Sequence, residues 1–396
     1  MNKKIGLVVL IAVIAGAIWY LESIKTGQTN GEKAVNPQSI NIFSDANNSS
    51  TASSSIGQKN VFSPNALDEL RNISATDIKS GYQQAVEIAD PTGFVNASDT
   101  LTLKSLVGKK VILLDFWTYS CIDWSRTRPY LTSGYQKYKD QGFVIVGIHT
   151  PEFNFEKDIK NVQAAVKKYD IQYPVVLDSR NGTWNAYNNL YWPHEYLVDI
   201  AGYIVHDHIG EGDYDKTESE IMKLLEQRSS ALGTPMPTAS KTEIKPANLF
   251  GIGSPETYFG SNRNRYLANG VSGQTGPQTL EEPGIIELNK LYLTGQWNIT
   301  PEYAETPKSV GSPQTGSDKI SYHYLAKGVY LVAGSLDNSI DVEVLRDGKP
   351  VDSSVKGADI FYQDGKSYVR IKENRLYRII DDASIGNHLL EFIISS

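Results

Sequence analysis

A single cysteine stands in 396 residues, so no disulfide can close within the chain, and any thiol chemistry rests on Cys121. The sequence also lacks a glycine-rich phosphate loop, a Ser-His-Asp order and a basic stripe. With a net charge of −7, a nucleic-acid partner is not expected, and no motif calls for a cofactor. Long apolar runs are equally scarce. The one present, residues 5–21, follows Lys3 and Lys4 and ends on Trp19 and Tyr20. It has about the minimum length for a helix spanning a bilayer, and the two lysines place its start inside and the body outside the cytoplasm. The rival is a cleaved signal peptide, since Ala15-Gly16-Ala17 forms a small-x-small pattern. That cleavage would leave a short apolar core and discard the aromatic end, so an uncleaved single-pass anchor is the reading adopted. No cysteine follows the run, which excludes a lipidated lipoprotein.

The informative stretch is residues 111–129, VILLDFWTYSCIDWSRTRP. An apolar run with β-branched residues stops at Tyr119, and a helical pattern begins behind Cys121. A strand therefore feeds a helix, with the thiol at the joint. There it meets the unpaired N–H groups and positive dipole end of the first turn, which favour thiolate over thiol. The competing reading is a small buried residue filling a helix start. Asp123 opposes a thiolate at Cys121, whereas Arg126 and Arg128 on the same helix offset it.

At these residues the sequence resembles the thioredoxin superfamily: Asp115-Phe116-Trp117, then Cys121, then Pro129 eight positions on. It is more similar to the membrane-linked extracytoplasmic TlpA and DipZ type, whose blocks FWTYSCI, VIVGIHTPEF, YPVVLD and YWPHEYLVD occur here at 116–122, 144–153, 173–178 and 191–199. The resemblance implies an active-site thiol at Cys121, a carboxylate at Asp115 beneath it, and a cis proline at Pro193 that turns a backbone edge toward the sulfur. Trp117, Trp124 and Trp192 are expected along a substrate groove beside the thiol, with Trp124 either shielding the sulfur on one side or stacking a substrate against it. An ordinary trans proline at a strand start is the alternative for Pro193, and a purely structural carboxylate is the alternative for Asp115. One position departs from the family pattern: where a second cysteine would resolve the mixed disulfide, this chain has Trp124. Exchange needs a second thiolate, so the chain alone cannot complete a two-cysteine cycle. A thiol peroxidase would need P-x-x-x-T-x-x-C; Thr118 fits, but Leu114 stands where the proline belongs.

The fold class expected is an α/β thioredoxin-like domain plus a C-terminal all-β sandwich, with an N-terminal transmembrane anchor. Residues 1–25 form the cytoplasmic tip and anchor. Residues 26–74, rich in Asn, Ser, Gly and Thr, form a disordered tether. Residues 75–228 alternate strands and helices. A second linker runs over 229–250, and 251–396 carries seven or more short alternating strands, with Asp347-Gly348 as a tight hairpin turn. This last part resembles the β-rich domain appended to DipZ-type proteins, with YFGSNRNRYL at 258–267, LTGQW at 293–297 and RLY at 375–377. That resemblance implies a carbohydrate ligand only by fold-level analogy.

His206 and His208 share one side of a strand near Glu211, which makes a metal pair conceivable; solvated edge histidines are the preferred reading, and no metal is assigned. Two function classes follow. One is thiol–disulfide exchange by a single cysteine, with an envelope protein or a small thiol as disulfide partner. The other is a redox-inactive thioredoxin-fold module that holds a protein or glycan.

Overall fold

The computed structural model describes residues 7–9, 64–238, 244, 253–306, 318–335 and 339–394, in two compact units. Of the expected membrane run only Leu7–Val9 is described, as a strand (β1) of the second unit and not as helix. A short apolar triplet suits either state, and its pattern alone does not arbitrate. The rest of that run lies outside the described residues, among which no helix is long and apolar enough to cross a membrane.

The first unit carries the thiol. Its helix α1 (Pro64–Ser80) is followed by β2 (Gln83–Gln84), β3 (Gly93–Val95), β4 (Val111–Trp117), α2 (Ile122–Tyr138), β5 (Phe143–His149), α3 (Ile159–Lys168), β6 (Val175–Leu177), α4 (Gly182–Ala186), β7 (His194–Val198), β8 (Tyr203–Ile209) and α5 (Tyr214–Leu232). The sheet runs β2-β8-β7-β4-β5-β6-β3, with β4, β5 and β6 parallel and β7 and β8 added antiparallel. Every residue of β4 and β5 is buried. Their near-continuous apolar sequences suit strands covered on both faces. Val111, Leu113 and Trp117 face α2, α3 and α5, while Ile112, Leu114 and Phe116 face Leu103, Val107, Trp184 and Tyr187.

α1 begins inside the segment expected as a tether. Leu70 and Ile73, three apart on one helix face, pack against Ile200, Ala201, Tyr203 and Ala231. That short stripe is lost in a composition-based reading of its polar surroundings. Residues 26–63 lie outside the described ones.

In the second unit β9 (Gly276–Leu280), β10 (Leu291–Ile299), β11 (Ala304–Glu305), β12 (Asp318–Ser335), β13 (Ile340–Arg346), β14 (Lys349–Pro350), β15 (Ile360–Gln363), β16 (Lys366–Ile371) and β17 (Arg375–Ile394) join β1 in one antiparallel sheet, ordered β15-β16-β13-β17-β12-β1-β11-β10-β9. Asp347 and Gly348, both at positive φ, turn β13 into β14 as a two-residue hairpin loop requires. Where the alternating pattern reads as separate short strands at 320–325 and 329–335, and at 376–380 and 388–394, the chain forms one long strand each time. β12 and β17 pair along their length and absorb register shifts near Gly328, where a bulge bends the ladder without ending it. The unit is thus one continuous hydrogen-bonded sheet, not two separate ones, around a single core that includes Trp297, Tyr322, Tyr324 and Phe392.

Candidate active site at Cys121

β4 ends at Trp117, and a short turn delivers Cys121 to the N-cap of α2 with extended backbone angles, φ −74° and ψ 126°. Its carbonyl accepts from the Ser125 N–H at 3.0 Å, the first bond of the helix. The side chain makes no cap bond to the helix. The half-buried sulfur instead lies 3.8 Å from the carbonyl oxygen of Trp192. The Trp192–Pro193 peptide is cis, so the loop expected beside the thiol is the one found there.

That loop is tied down from behind. Trp192 Nε1 donates to the Thr150 carbonyl at 3.1 Å, and its ring packs on Trp184 with centroids 4.4 Å apart. Trp184 is held in turn by Asp178, whose carboxylate accepts from the Thr183 and Trp184 N–H groups, both at 2.9 Å, and from Thr150 Oγ1 at 3.0 Å. Burial pushes the Asp178 carboxyl up to about 6 despite these donors.

Trp124 does not line a groove. It is wholly buried, stacks on Trp117 at 4.2 Å and 24°, and donates from Nε1 to Asp115 Oδ2 at 3.1 Å. Trp117 is buried as completely. Of the three tryptophans expected along the groove, Trp192 is the one whose carbonyl meets the sulfur, while Trp117 and Trp124 lie in the core cluster against which Cys121 packs. The reason is helical phase: Trp124, Thr127, Leu131 and Tyr138 are buried and share one α2 face. The indole therefore fills the core position where a resolving sulfur would sit. Asp115 beneath it is fully buried, and burial raises its carboxyl to about 7, with the indole bond pulling the other way.

Asp123 is neutralised as the sequence allowed, though by one arginine only. Arg126 Nη2 meets Asp123 Oδ1 at 2.6 Å, and the same guanidinium grips Glu211 at 2.5 and 2.7 Å. Arg128 instead lies over the Tyr169 ring, 4.8 Å from its centroid.

Sequence reasoning missed three buried titratable groups. Glu156 accepts from Ser120 N and Oγ at 3.3 and 2.6 Å, and from the N–H groups of Glu152 and Phe153 at 2.7 and 3.0 Å. It thereby fixes the residue before the thiol, and burial raises it to about 7. His149, packed against Trp117 and Tyr119, has neither ring nitrogen paired, and burial keeps it neutral down to about 3. Glu195, 3% exposed on β7, is pushed up to about 8 by burial and by Asp115. Glutamates read as surface residues in a sequence. The one available signal was that Glu195 leads into the apolar run Tyr196-Leu197-Val198 of β7. Among the described residues no group of three or more His, Cys, Asp or Glu could hold a metal ion; His206 Nε2 instead lies 3.4 Å from Thr217 Oγ1.

Comparison with known proteins agrees with this architecture. Residues 83–207 match the family model described as AhpC/TSA family, and residues 254–396 match that of the thioredoxin like C-terminal domain. Protein DipZ of Mycobacterium tuberculosis is 36% identical over 285 residues, covering 70% of this chain and 39% of the relative. The chain thus spans about 39% of the length of the first curated relatives it matches. The thiol-disulfide oxidoreductase ResA of Bacillus cereus is 32% identical over 124 residues, 31% of this chain and 68% of that one. The corresponding YkuV of Bacillus subtilis is 27% identical over 125 residues, 32% and 84% of the two chains. Among solved structures, a thioredoxin-like protein in the oxidized form is 25% identical, with 36% of this chain and 95% of that chain covered and a TM-score of 0.34.

Proposed function

The chain belongs to the thioredoxin-like redoxin family that includes such oxidoreductases, and from that premise we propose that it exchanges thiols and disulfides through Cys121 alone, as a membrane-anchored protein whose body lies outside the cytoplasm. The observation that supports this reading is the half-buried sulfur at the start of α2, 3.8 Å from the carbonyl on the cis-proline loop, with a tryptophan locked into the resolving position. The Cys121 thiolate attacks one sulfur of a substrate disulfide. A Cys121–substrate disulfide forms, and the other substrate sulfur leaves as a thiolate. A second thiol, from a small molecule or an envelope protein, then attacks the substrate's sulfur in the mixed disulfide and regenerates the Cys121 thiolate. The two electrons pass between substrate and incoming thiol, and the protein ends as it began. An extended substrate segment would lie against the Trp192 edge, where backbone groups can bind it without regard to sequence.

Intact mass of protein taken directly from the native envelope tests this. Wild type should carry a disulfide adduct that Cys121→Ser lacks, and maleimide should label Cys121 with a midpoint below the ordinary thiol value of roughly 8.5. Protein found only as an unmodified thiol with an ordinary midpoint overturns the exchange reading. The module that binds without redox chemistry would then stand, and the Trp124 bond to Asp115 favours it, because the family's proton-moving carboxylate is already engaged.

The orientation has its own check. Protease added to intact spheroplasts should degrade both units, given an anchor over residues 5–21 with its charged end inside. Protection until lysis would reverse the assignment.

A further inference from the structure

Asp115, Glu195 and His208 stand opposite one another on three adjacent strands: Asp115 on β4 pairs with Glu195 on β7, and Glu195 pairs with His208 on β8. Residues directly opposite across antiparallel strands point to the same face, with Cβ atoms roughly 4.5–5.5 Å apart. One row of titratable side chains therefore crosses the sheet, from the fully buried floor under α2 to the half-exposed His208 near the edge.

The row is poorly satisfied for groups so deeply placed. Asp115 Oδ1 and His208 Nε2 are buried without a hydrogen-bond partner, and no side chain among the described residues bonds the Glu195 carboxyl, whose backbone is paired in the sheet. Buried polar atoms left in this state call for an explanation. Glu195 also borders a mostly apolar cavity of about 40 Å³ between the sheet, α2 and α5, into which Tyr130, Tyr138, Tyr214, Thr217 and Glu218 bring polar groups. That volume has room for roughly two or three waters.

We propose that Asp115, Glu195 and His208 form a proton-transfer row that connects the floor of the Cys121 site to solvent, with the cavity beside Glu195 as its hydrated segment. The proposal deepens the exchange reading and rests on it for its purpose. When Cys121 enters a mixed disulfide, its negative charge disappears, and a proton held by the two carboxyl groups is released to the His208 imidazole and then to water. When the thiolate returns, a proton comes back along the same path. The other titratable groups described around the row are engaged elsewhere, Asp123 by Arg126 among them. Tyr173 and Tyr214 are phenols held further from ionisation by burial. Glu211 is engaged by Arg126 and Glu218 by Lys137, while His206 faces Thr217.

The test is a titration of the full chain labelled with ¹⁵N-tryptophan and ¹³C-histidine, between about pH 5 and 9. The Trp124 indole N–H reports Asp115 directly, because it donates to that carboxylate. Asp115 ionises first and its charge raises Glu195, so the indole should report two steps, and Glu195→Gln should remove the later one. His208→Asn, at the half-exposed end of the row, should shift the later step, because the imidazole stands opposite Glu195 across the strand pair. If neither variant alters the indole titration, Asp115 titrates independently of its neighbours and the row does not exist. This readout is obtained whether or not Cys121 carries an adduct, so its failure is distinguishable from failure of the exchange reading.

Discussion

Trp124→Cys is expected to give the protein a dithiol reductase activity that wild type lacks, and to do so at a large cost in stability. Cys121 is the N-cap of α2 and position 124 lies three residues on, so the two share a helix face. The elements that serve a dithiol site remain in place around them: Asp115 below, the cis Trp192–Pro193 loop beside, and Pro129 within the helix. The indole bond is what pulls the Asp115 carboxyl down, so its loss lets that carboxyl rise further and suits it to accept the new thiol's proton. The cost follows from burial. Trp124 stacks on Trp117 and packs edge-on against Tyr169, and truncating a buried tryptophan typically costs about 3–5 kcal/mol. For a unit of this size that corresponds to a fall in melting temperature on the order of 10 °C. Thermal unfolding together with insulin-disulfide reduction under a dithiol donor measures both. Trp124→Ala should share the thermal loss without the activity. A Trp124→Cys protein that reduces insulin no faster than wild type would show that the scaffold is no longer a redox one.

What could be read from the chain alone was whatever lies in contiguous pattern. The strand-to-helix joint at Cys121, the β-strand content of the C-terminal unit and the turn at Asp347-Gly348 all have local signatures, and local chemistry fixes them, whereas the nearness of Pro193 to Cys121 came only from the family resemblance. What could not be read depends on phase or on register. Trp124 was placed beside the thiol because it is near it in sequence, whereas its helix turns the ring inward onto Asp115. Glu195 and His208 become neighbours only when β7 and β8 are paired in one register. The burial of Glu156 follows from the short helical turn Asn154–Lys157, which brings its carboxylate under Ser120. In β12 and β17 the bulges near Gly328 read as strand ends, because a glycine in a β pattern signals a break and a bulge equally well.

The same hidden carboxyl groups make a strong prediction about pH. Burial raises Asp115 and Glu156 to about 7, Asp178 to about 6 and Glu195 to about 8; Asp199 is raised as well, by burial and by Asp77 at its side. In the unfolded chain such groups titrate near 4. Between that value and the folded one, the native state holds protons that the unfolded state has lost. Stability must therefore fall as pH rises through the window, by up to about 1.4 kcal/mol per pH unit for each group in transition. His149 acts oppositely. Burial lowers it to about 3, so it costs stability as pH falls below its ordinary value of about 6.5 and contributes no slope above it. From about pH 6.5 to 8, then, Asp115, Glu156, Glu195 and Asp199 dominate together with Asp123, which burial raises to about 7, and all slope the same way. Urea unfolding of the thioredoxin-like unit within the full chain, followed by tryptophan fluorescence, should show a midpoint that declines steadily across this range. Asp115→Asn and Glu195→Gln should each flatten the decline, because an amide cannot ionise. A midpoint that is level or rises between pH 6.5 and 8 would mean that these carboxylates are compensated by groups other than those that surround them here, and it would remove the basis for a shared proton beneath Cys121.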